Sequence, residues 1–364
     1  MNTPLTPEWL PSFVTPFITL SYPTDPPASP DSFKDSSYYG VGLLDGCLII
    51  TCIAIMAILR DALRLGVFEP FARWYLTREL KNEKTRHLAH QNGDTKRANG
   101  EANGSGDTKK ANGAANGNGH AAEVVITKQE ARKVRRRVLR FAEQGWSFVY
   151  YTLQWLYGMY VHWNLPTSVW NPVAVWENYP HIPLAGPLKL YYLTQSAFYL
   201  HQILILNAEA RRKDHWQMMT HHVITVVLML GSYAYNYTRV GCLIMMLMDV
   251  CDIYLPLAKM FRYLTFSTCC DVTFGIFMAT WLVSRHVLFN IVIYSTYYDA
   301  PRIITYVWDP ASGHFNTNGV LETFNAMLVA LQIIQLVWFW MICRVAWRVL
   351  RGQGAEDTRS DSEE

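Results

Sequence analysis

The chain has 364 residues, of which 51% are hydrophobic and 14% are aromatic, and its formal net charge is +3 at pH 7. Its mean hydropathy of +0.03 averages polar segments near 1–40, 76–140 and 350–364 with a densely apolar remainder. This division makes a soluble α-helical protein the weaker alternative to a polytopic membrane protein. The seven cysteines show no spacing typical of a zinc or disulfide framework, and no nucleic-acid-binding motif accompanies the basic residues.

Long apolar stretches define the predicted elements along the chain. A helix needs about 20 mainly apolar residues to cross the hydrocarbon core of a bilayer. Seven stretches meet this requirement, and they lie near 41–59, 145–162, 188–206, 215–235, 240–258, 273–296 and 324–346. The sequence therefore predicts an all-α polytopic membrane protein with seven transmembrane helices.

Positive charge is distributed unevenly among the segments that connect these stretches. Lys and Arg are dense between Arg60 and Arg140 and recur at 211–213, at 259–262 and from Arg344 onward, whereas the remaining connections carry almost none. By the positive-inside rule, the N-terminus is predicted to be lumenal and the C-terminus cytosolic. The predicted organisation is a lumenal segment (1–40), a first transmembrane helix (41–64), a cytosolic linker (65–140), a membrane domain of six helices (141–347) and an acidic cytosolic tail (348–364).

The cytosolic linker contains a repeated Ala-Asn-Gly pattern with Lys and Asp between residues 91 and 122. Such a composition cannot bury a core, so 91–122 is predicted to be disordered. Surface helices are predicted on both sides of it, near 65–82 and near 127–142. The basic face of the second suits either an anionic membrane surface or a solvated helix that sets topology.

Two consecutive apolar stretches each carry a pair of ionisable side chains, namely His221 and His222 in the first and Asp249 and Asp252 in the second. An Asp at the centre of a spanning helix costs roughly 2.5–3.5 kcal/mol on insertion scales, so such groups persist mainly where a cavity, a partner or a reaction needs them. Asp214 and Gln217 resemble a capping box and predict where the helix with the histidines begins. Antiparallel packing against the next helix places histidines and aspartates at similar depth, and predicts contact between an imidazole and a carboxylate.

These residue types indicate a particular chemistry. A neutral imidazole is a base and a nucleophile near neutral pH, and a carboxylate orients it and stabilises its protonated form. The set therefore favours acyl transfer to an amine or an alcohol. A membrane di-metal hydroxylase is the alternative, but it needs several histidine clusters, whereas the other histidines here are scattered singly. No metal site is predicted.

Other polar side chains also lie inside apolar stretches. His201 is followed by Gln202 in the third stretch, and Arg285 lies in the sixth. Because polar groups inside a membrane usually face a cavity or each other, these three residues are predicted to line a substrate-binding cavity rather than to pack between helices.

Three sequence motifs occur together in the membrane domain. They are Arg211-Arg-Lys-Asp-His-Trp-Gln-Met-Met-Thr-His-His-Val-Ile-Thr225, then Ser232-Tyr233, then Met248-Asp-Val-Cys-Asp252 with Leu257-Ala-Lys-Met260. This combination resembles the signature of ceramide synthases, the TLC-domain sphingosine N-acyltransferases of the longevity-assurance family. The similarity extends from about Phe141 to Trp347, and the Asn-Gly-rich linker suits a fungal member.

The resemblance implies an enzyme of the endoplasmic reticulum membrane that joins sphinganine or phytosphingosine to a fatty acyl group from acyl-CoA, giving (dihydro)ceramide. It implies that the second to seventh spans form a six-helix TLC barrel around an acyl tunnel, with the two histidines and two aspartates as catalytic residues. Fatty acyl-CoA is then a co-substrate, with no bound cofactor, and Arg211, Arg212 and Lys213 are candidates to bind its phosphates. Expected partners besides the substrates are the lipid bilayer, a small single-span regulatory subunit and a second copy in a homodimer.

A non-catalytic TLC-domain protein, acting as a lipid sensor or a translocon-associated component, is the alternative function. Such proteins typically lose part of the His-His and Asp-x-x-Asp set, which is complete here. The sequence leaves open the acyl-chain length, the preferred base, and a covalent acyl-imidazole as opposed to direct transfer. It also leaves open a toxin-resistance paralogue with the same chemistry.

Overall fold

The computed structural model describes residues 11–102 (backbone only for 91–102), 126–168, 170–208 and 214–351. This part of the chain is mostly helical. Its helices are α1 (Thr15–Ile18), α2 (Asp45–Leu63), α3 (Glu69–Ala102), α4 (Lys128–Trp163), α5 (Gly186–Ala208), α6 (His215–Ala234), α7 (Thr238–Tyr263), α8 (Ser267–Trp281), α9 (Phe289–Tyr298), α10 (Ala300–Ile303) and α11 (Asn318–Leu350).

Each of the seven predicted spans overlaps a helix, and the span at 273–296 falls in the continuous helical stretch Ser267–Ile303, which includes α8 and α9. Among the described residues, four helical stretches are long and apolar enough to cross a membrane, namely Asp45–His90, Thr238–Tyr263, Ser267–Ile303 and Asn318–Leu350. Helices α5 and α6 are less apolar because they carry polar side chains such as Gln195, His221 and His222. The chain is therefore a multi-pass membrane protein.

Three predicted boundaries differ from the structure. α2 continues through a π-helical segment, Arg64–Phe68, into α3, so the first span and the surface helix predicted near 65–82 form one long helix. The helix predicted near 127–142 is likewise the first part of α4, since no proline interrupts residues 128–163. α3 also extends to Ala102, into the segment predicted to be disordered, whereas 103–122 lies outside the described residues.

The long helices pack against one another. α4 packs against α5 and α7, and α5 packs against α2 and α6. α11 packs against α6 and α9, while α7 packs against α8. A π-helical segment, Leu282–Leu288, joins α8 to α9.

The two ends of this bundle differ in character. The basic end, where α5, α7 and α11 finish, carries Lys259, Arg262, Arg344 and Arg348. The opposite end, called the loop end, contains the turn between α6 and α7 and an antiparallel hairpin of Val307–Asp309 with His314–Asn316. Charged side chains on one end and loops with aromatic residues on the other are typical of a membrane-embedded bundle.

An N-terminal anchor fastens the first long helix to the bundle at the loop end. A small antiparallel sheet joins β1 (Pro23–Thr24), β2 (Tyr38–Tyr39) and β3 (Leu184–Ala185), so the all-α prediction is corrected by a few short strands. Beside it, the Lys189 ammonium forms an ion pair of 2.6 Å with Asp45, and both side chains are buried, with 0% and 3% exposure. The pair ties α5 to the start of α2.

Candidate active site

The two adjacent histidines lie in the second turn of α6. Asp214 is the N-cap of this helix, as predicted, but its side chain makes no capping hydrogen bond, so the predicted capping box is wrong. His222 is buried, and its Nδ1 lies 2.7 Å from the carbonyl oxygen of Met218. Because a carbonyl can only accept, this contact places the proton on Nδ1 and leaves Nε2 with the lone pair of a base.

His221 is held by aromatic packing rather than by hydrogen bonds. Its ring lies edge-on to Trp338 of α11, with 5.0 Å between the ring centroids, and perpendicular to the ring of His222 at 5.4 Å. The Nδ1 atom of His221 is buried and has no hydrogen-bond partner. This imidazole is therefore fixed in place while retaining an unpaired ring nitrogen.

Asp249 on α7 is fully buried behind the histidines. Its carboxylate accepts hydrogen bonds from the Gln195 side-chain amide and from the Tyr199 hydroxyl, the latter at 3.3 Å. Both donors are on α5, one helical turn apart. Asp249 thus positions Tyr199, whose ring lies 6.0 Å from that of His222.

Asp252, one turn further along α7, pairs with Arg285. The guanidinium Nη2 lies 2.6 Å from the carboxylate and also donates to the Met248 carbonyl at 2.9 Å. The same guanidinium stacks 4.1 Å above the Trp281 ring. Arg285 lies in the π-helical segment between α8 and α9, and such irregular turns are frequent at functional sites because they redirect a side chain.

The predicted contact between an imidazole and a carboxylate is not among the hydrogen bonds or ion pairs of the described residues. α6 and α7 do pack together, as expected. Partners from other helices, however, occupy the carboxylates: Gln195 and Tyr199 of α5 on one, and Arg285 on the other. A charged guanidinium competes strongly for a buried carboxylate, which explains the difference.

Two cavities meet at this cluster. The larger, called the vestibule, has a volume of about 460 Å³ and is lined by His221, His222 and Asp252, and by Lys259, Arg262, Arg344 and Arg348 at the basic end. The smaller, called the chamber, has a volume of about 70 Å³ and an almost wholly apolar lining that reaches Trp176, Tyr237 and Phe324 at the loop end. Tyr199, His221 and Arg285 line both cavities.

Comparison with known proteins identifies the family of the chain. The family model for the TLC domain matches residues 140–344, which include every side chain of the cluster. The chain belongs to the TLC-domain family. The predicted family resemblance is thereby confirmed.

The TLC domain also accounts for the similarity to characterised proteins. The chain is 40% identical over 260 residues to sphingosine N-acyltransferase-like protein ALT7 of Alternaria alternata, covering 63% of this chain and 60% of that protein. It is 41% identical over 231 residues to sphingosine N-acyltransferase lag1 of Schizosaccharomyces pombe, with 63% and 59% covered. It is 39% identical over 254 residues to Ceramide Synthase FUM18 of Gibberella moniliformis, also with 63% and 59% covered. The match thus spans about three fifths of each of these relatives.

The secondary predictions fall in different places within the TLC domain. Gln202 lines the vestibule, and Arg285 lines both cavities. His201 is buried on α5 but lines neither of these cavities. The three candidate phosphate-binding residues, Arg211, Arg212 and Lys213, lie outside the described residues. Within the described residues, no group of three or more His, Cys, Asp or Glu side chains is arranged to hold a metal ion.

Several residues of the site were not predicted. Gln195 and Tyr199 lie one turn apart on α5, and Tyr199 is two residues before His201. Their spacing within an apolar stretch was an available signal. Arg262, Arg344 and Arg348 were interpreted only as topology signals, yet they line the vestibule. The contribution of Trp338 depends on the packing of α11 against α6, which sequence spacing does not reveal.

Proposed function

We propose that the chain is a ceramide synthase that transfers a fatty acyl group from acyl-CoA to the amine of a sphingoid base, giving (dihydro)ceramide and free CoA. The observation that carries this proposal is the position of His221, at the junction between a basic vestibule and an apolar chamber. The reaction joins a polyanionic CoA thioester to an amine, and both substrates carry a long alkyl chain. It therefore needs a charged and an apolar environment on either side of the histidine that acts as general base.

The basic end of the vestibule suits the CoA part of the donor. Arg262, Arg344 and Arg348 line it, and guanidinium groups bind phosphates through paired, charge-assisted hydrogen bonds. Arg211, Arg212 and Lys213, which follow α5 in the sequence, are proposed to bind the phosphates as well. With CoA held there, the thioester carbonyl reaches the histidines while the acyl chain enters the chamber.

The chemistry at the junction follows from the orientation of the side chains. The sphingoid base reacts as a neutral amine, after its ammonium form has released one proton to water. The Nε2 atom of His222 accepts a proton from the amine nitrogen as this nitrogen attacks the thioester carbon. The carbon–sulfur bond breaks, an amide bond forms, and the imidazolium returns its proton to the CoA thiolate. Arg285 stabilises the negative charge that develops on the carbonyl oxygen, and Asp252 keeps Arg285 oriented.

A covalent route uses the unpaired nitrogen of His221. That nitrogen attacks the thioester first, releases the CoA thiolate and forms an acyl-imidazole, which the amine then cleaves. Incubation of the purified chain with labelled acyl-CoA in the absence of the sphingoid base separates the two routes. Acyl label that is trapped in the wild type and lost in His221→Ala supports the covalent route, and no trapping supports direct transfer.

We extend the proposal to the arrangement in the membrane. The seven predicted spans cross the bilayer, and the first span lies outside a six-helix barrel. The barrel consists of α4, α5, α6, α7, the continuous helix of α8 and α9, and α11, an order supported by which helices pack together. The protein resides in the endoplasmic reticulum with a lumenal N-terminus and a cytosolic basic end. A single-span regulatory subunit and a second copy are proposed partners.

The activity is tested by expressing the chain in cells that lack ceramide synthase and measuring their lipids by mass spectrometry. The wild type is expected to restore (dihydro)ceramide, and the double variant His221→Ala/His222→Ala is expected to fail. His162→Gln, at the far end of α4, is the matched histidine control and is expected to behave as wild type. No ceramide from well-expressed wild type, or full activity of the double variant, contradicts the proposal.

A further inference from the structure

The chamber is mostly apolar, but several polar side chains also line it, some of them beside His221. Among the side chains that line it, Thr225 and Gln335 each have a buried oxygen with no hydrogen-bond partner, as does the Nδ1 atom of His221. Buried polar atoms are rarely left unpaired, because the loss of their hydrogen bonds to water is not compensated. With the Nε atom of Arg285, four such atoms border this one cavity, which indicates that the missing partners come from a ligand.

Gln335 on α11 is the most constrained of these residues. Its side chain is fully buried, at 0% exposure, and its amide nitrogen donates to the Met248 sulfur at 3.3 Å. The carbonyl oxygen of the same amide is the unpaired atom. Since a carbonyl oxygen only accepts, it requires a ligand group that donates a hydrogen bond.

Thr225 lies one turn after His221 on the same face of α6, so its hydroxyl lies on the chamber side of the imidazole. Gln335 lies one turn before Trp338, the residue that packs on His221. The two unpaired oxygens therefore approach the reacting region from different helices. A threonine hydroxyl both donates and accepts, and a ligand hydroxyl does the same.

We propose that Gln335 and Thr225 form a hydroxyl-binding site that selects a hydroxylated substrate. This inference rests on the proposed acyl transfer at His221. A ligand hydroxyl donates to the Gln335 carbonyl and accepts from the Thr225 hydroxyl, so both buried oxygens gain a partner when the substrate binds. The hydroxyl belongs either to the sphingoid base or to a 2-hydroxyacyl chain, and both have the same recognition chemistry.

The test compares matched substrates with the purified full-length chain. One pair is sphinganine and its 3-deoxy analogue, both with palmitoyl-CoA, and the other is 2-hydroxypalmitoyl-CoA and palmitoyl-CoA, both with sphinganine. The wild type is expected to have a higher kcat/KM for the hydroxylated member of one pair, and the pair that responds identifies the source of the hydroxyl. A site that hydrogen-bonds a substrate hydroxyl discriminates strongly against an analogue that lacks it.

Gln335→Met and Thr225→Val keep the shape of each side chain while removing the unpaired oxygen. Each is expected to lower that preference by about tenfold, with a smaller effect on the non-hydroxylated substrate. Gln332→Met is the matched control, because Gln332 lies on the same helix and also has a buried unpaired oxygen, but does not line the chamber. Its amide nitrogen lies 2.9 Å from the Nδ1 atom of His286. The preference of this variant is expected to equal that of the wild type.

Three outcomes overturn the hydroxyl-binding site while leaving the acyl transfer intact. They are equal kcat/KM values of the wild type within both pairs, an unchanged preference in folded Gln335→Met and Thr225→Val, and an equal loss in Gln332→Met. If one variant does not fold, the other decides, and the wild-type comparison decides alone if neither folds. Absence of any amide product from the wild type with all substrates contradicts the proposed function instead.

Discussion

The molecule contains two buried ionic clusters that differ in how completely they are paired. In the N-terminal anchor, the Lys189 ammonium contacts Asp45 at 2.6 Å and donates to the carbonyl oxygens of Ser21 at 2.8 Å and Gly40 at 2.7 Å. The second Asp45 oxygen accepts from the Tyr233 hydroxyl at 2.8 Å. This network holds two segments together, and its unpaired Ser21 hydroxyl borders neither of the two cavities.

The cluster at the junction of the cavities is paired only in part. Asp252 and Arg285 form an ion pair, but the Arg285 Nε, the His221 Nδ1 and the Thr225 hydroxyl are buried without a hydrogen-bond partner. This cluster borders both cavities, whereas Ser21, Gly40, Asp45, Lys189 and Tyr233 of the anchor line neither of them. Unpaired polar atoms beside a cavity, rather than buried charge alone, therefore distinguish a binding site from a structural ion pair.

The largest effect on stability is expected in the anchor. Lys189→Met leaves the Asp45 carboxylate buried and unpaired, which should lower the free energy of unfolding by about 3–5 kcal/mol. The double variant Lys189→Met/Asp45→Leu should regain most of this loss, since an apolar pair can replace a buried ion pair. Thermal unfolding in detergent measures both changes. A double variant as unstable as the single one would show that the anchor needs its charges.

The same exchange at the site should separate stability from activity. Arg285→Met/Asp252→Leu should unfold at nearly the wild-type temperature, again because the charges are removed together. Its acyl-transfer rate should nevertheless fall by about a hundredfold or more, because the carbonyl oxygen loses its stabilising charge. The rate per folded molecule is the measurement. A double variant with nearly the wild-type rate would remove Arg285 from the mechanism.

A smaller effect is expected where the two regions touch. A Cβ atom on Gly241, which lines the chamber, would lie 1.7 Å from the hydroxyl of Tyr192, whose ring packs against Tyr233 of the anchor. Gly241→Ala should therefore cost about 1–3 kcal/mol of unfolding free energy and lower activity. Gly275→Ala is the matched control, because nothing lies within 4 Å of its added Cβ. Equal stability of the two variants would contradict the close packing.

The smallest effect concerns an ion pair outside the membrane. A hydrogen bond from the Lys84 ammonium, 2.6 Å long, and the capping box with Thr127 lower the pKa of Glu130 to about 2. Since this value lies below the unfolded value of about 4.3, the stabilisation is present above that pH and is lost as the pH falls toward 2. Glu130→Gln should increase the rate of hydrogen exchange at the start of α4, and the ratio of the variant rate to the wild-type rate should be the same at pH 6 and pH 8. A difference between these two pH values would contradict the assignment.

Parts of the fold and site follow from local sequence and parts do not. The length of the apolar stretches located a helix for each predicted span. The His-His and Asp-x-x-Asp motifs were correctly placed in consecutive helices, because each motif lies within one apolar stretch. The partners of the carboxylates were not predictable, since Gln195 is 54 residues from Asp249 and Arg285 is 33 residues from Asp252. The continuity of α2 with α3 was missed for another reason, namely that the basic segment from Arg60 to Arg140 was taken as a cytosolic linker separate from the first span.

The most direct test of the account measures the rate of amide formation by the purified chain with acyl-CoA and sphinganine, together with its unfolding temperature. His221→Ala should lose about a hundredfold or more of the rate while unfolding at nearly the wild-type temperature. Lys189→Met/Asp45→Leu should keep its rate per folded molecule. A His221→Ala variant with the wild-type rate, or an anchor variant that loses as much rate as His221→Ala, would contradict acyl transfer at the junction of the two cavities.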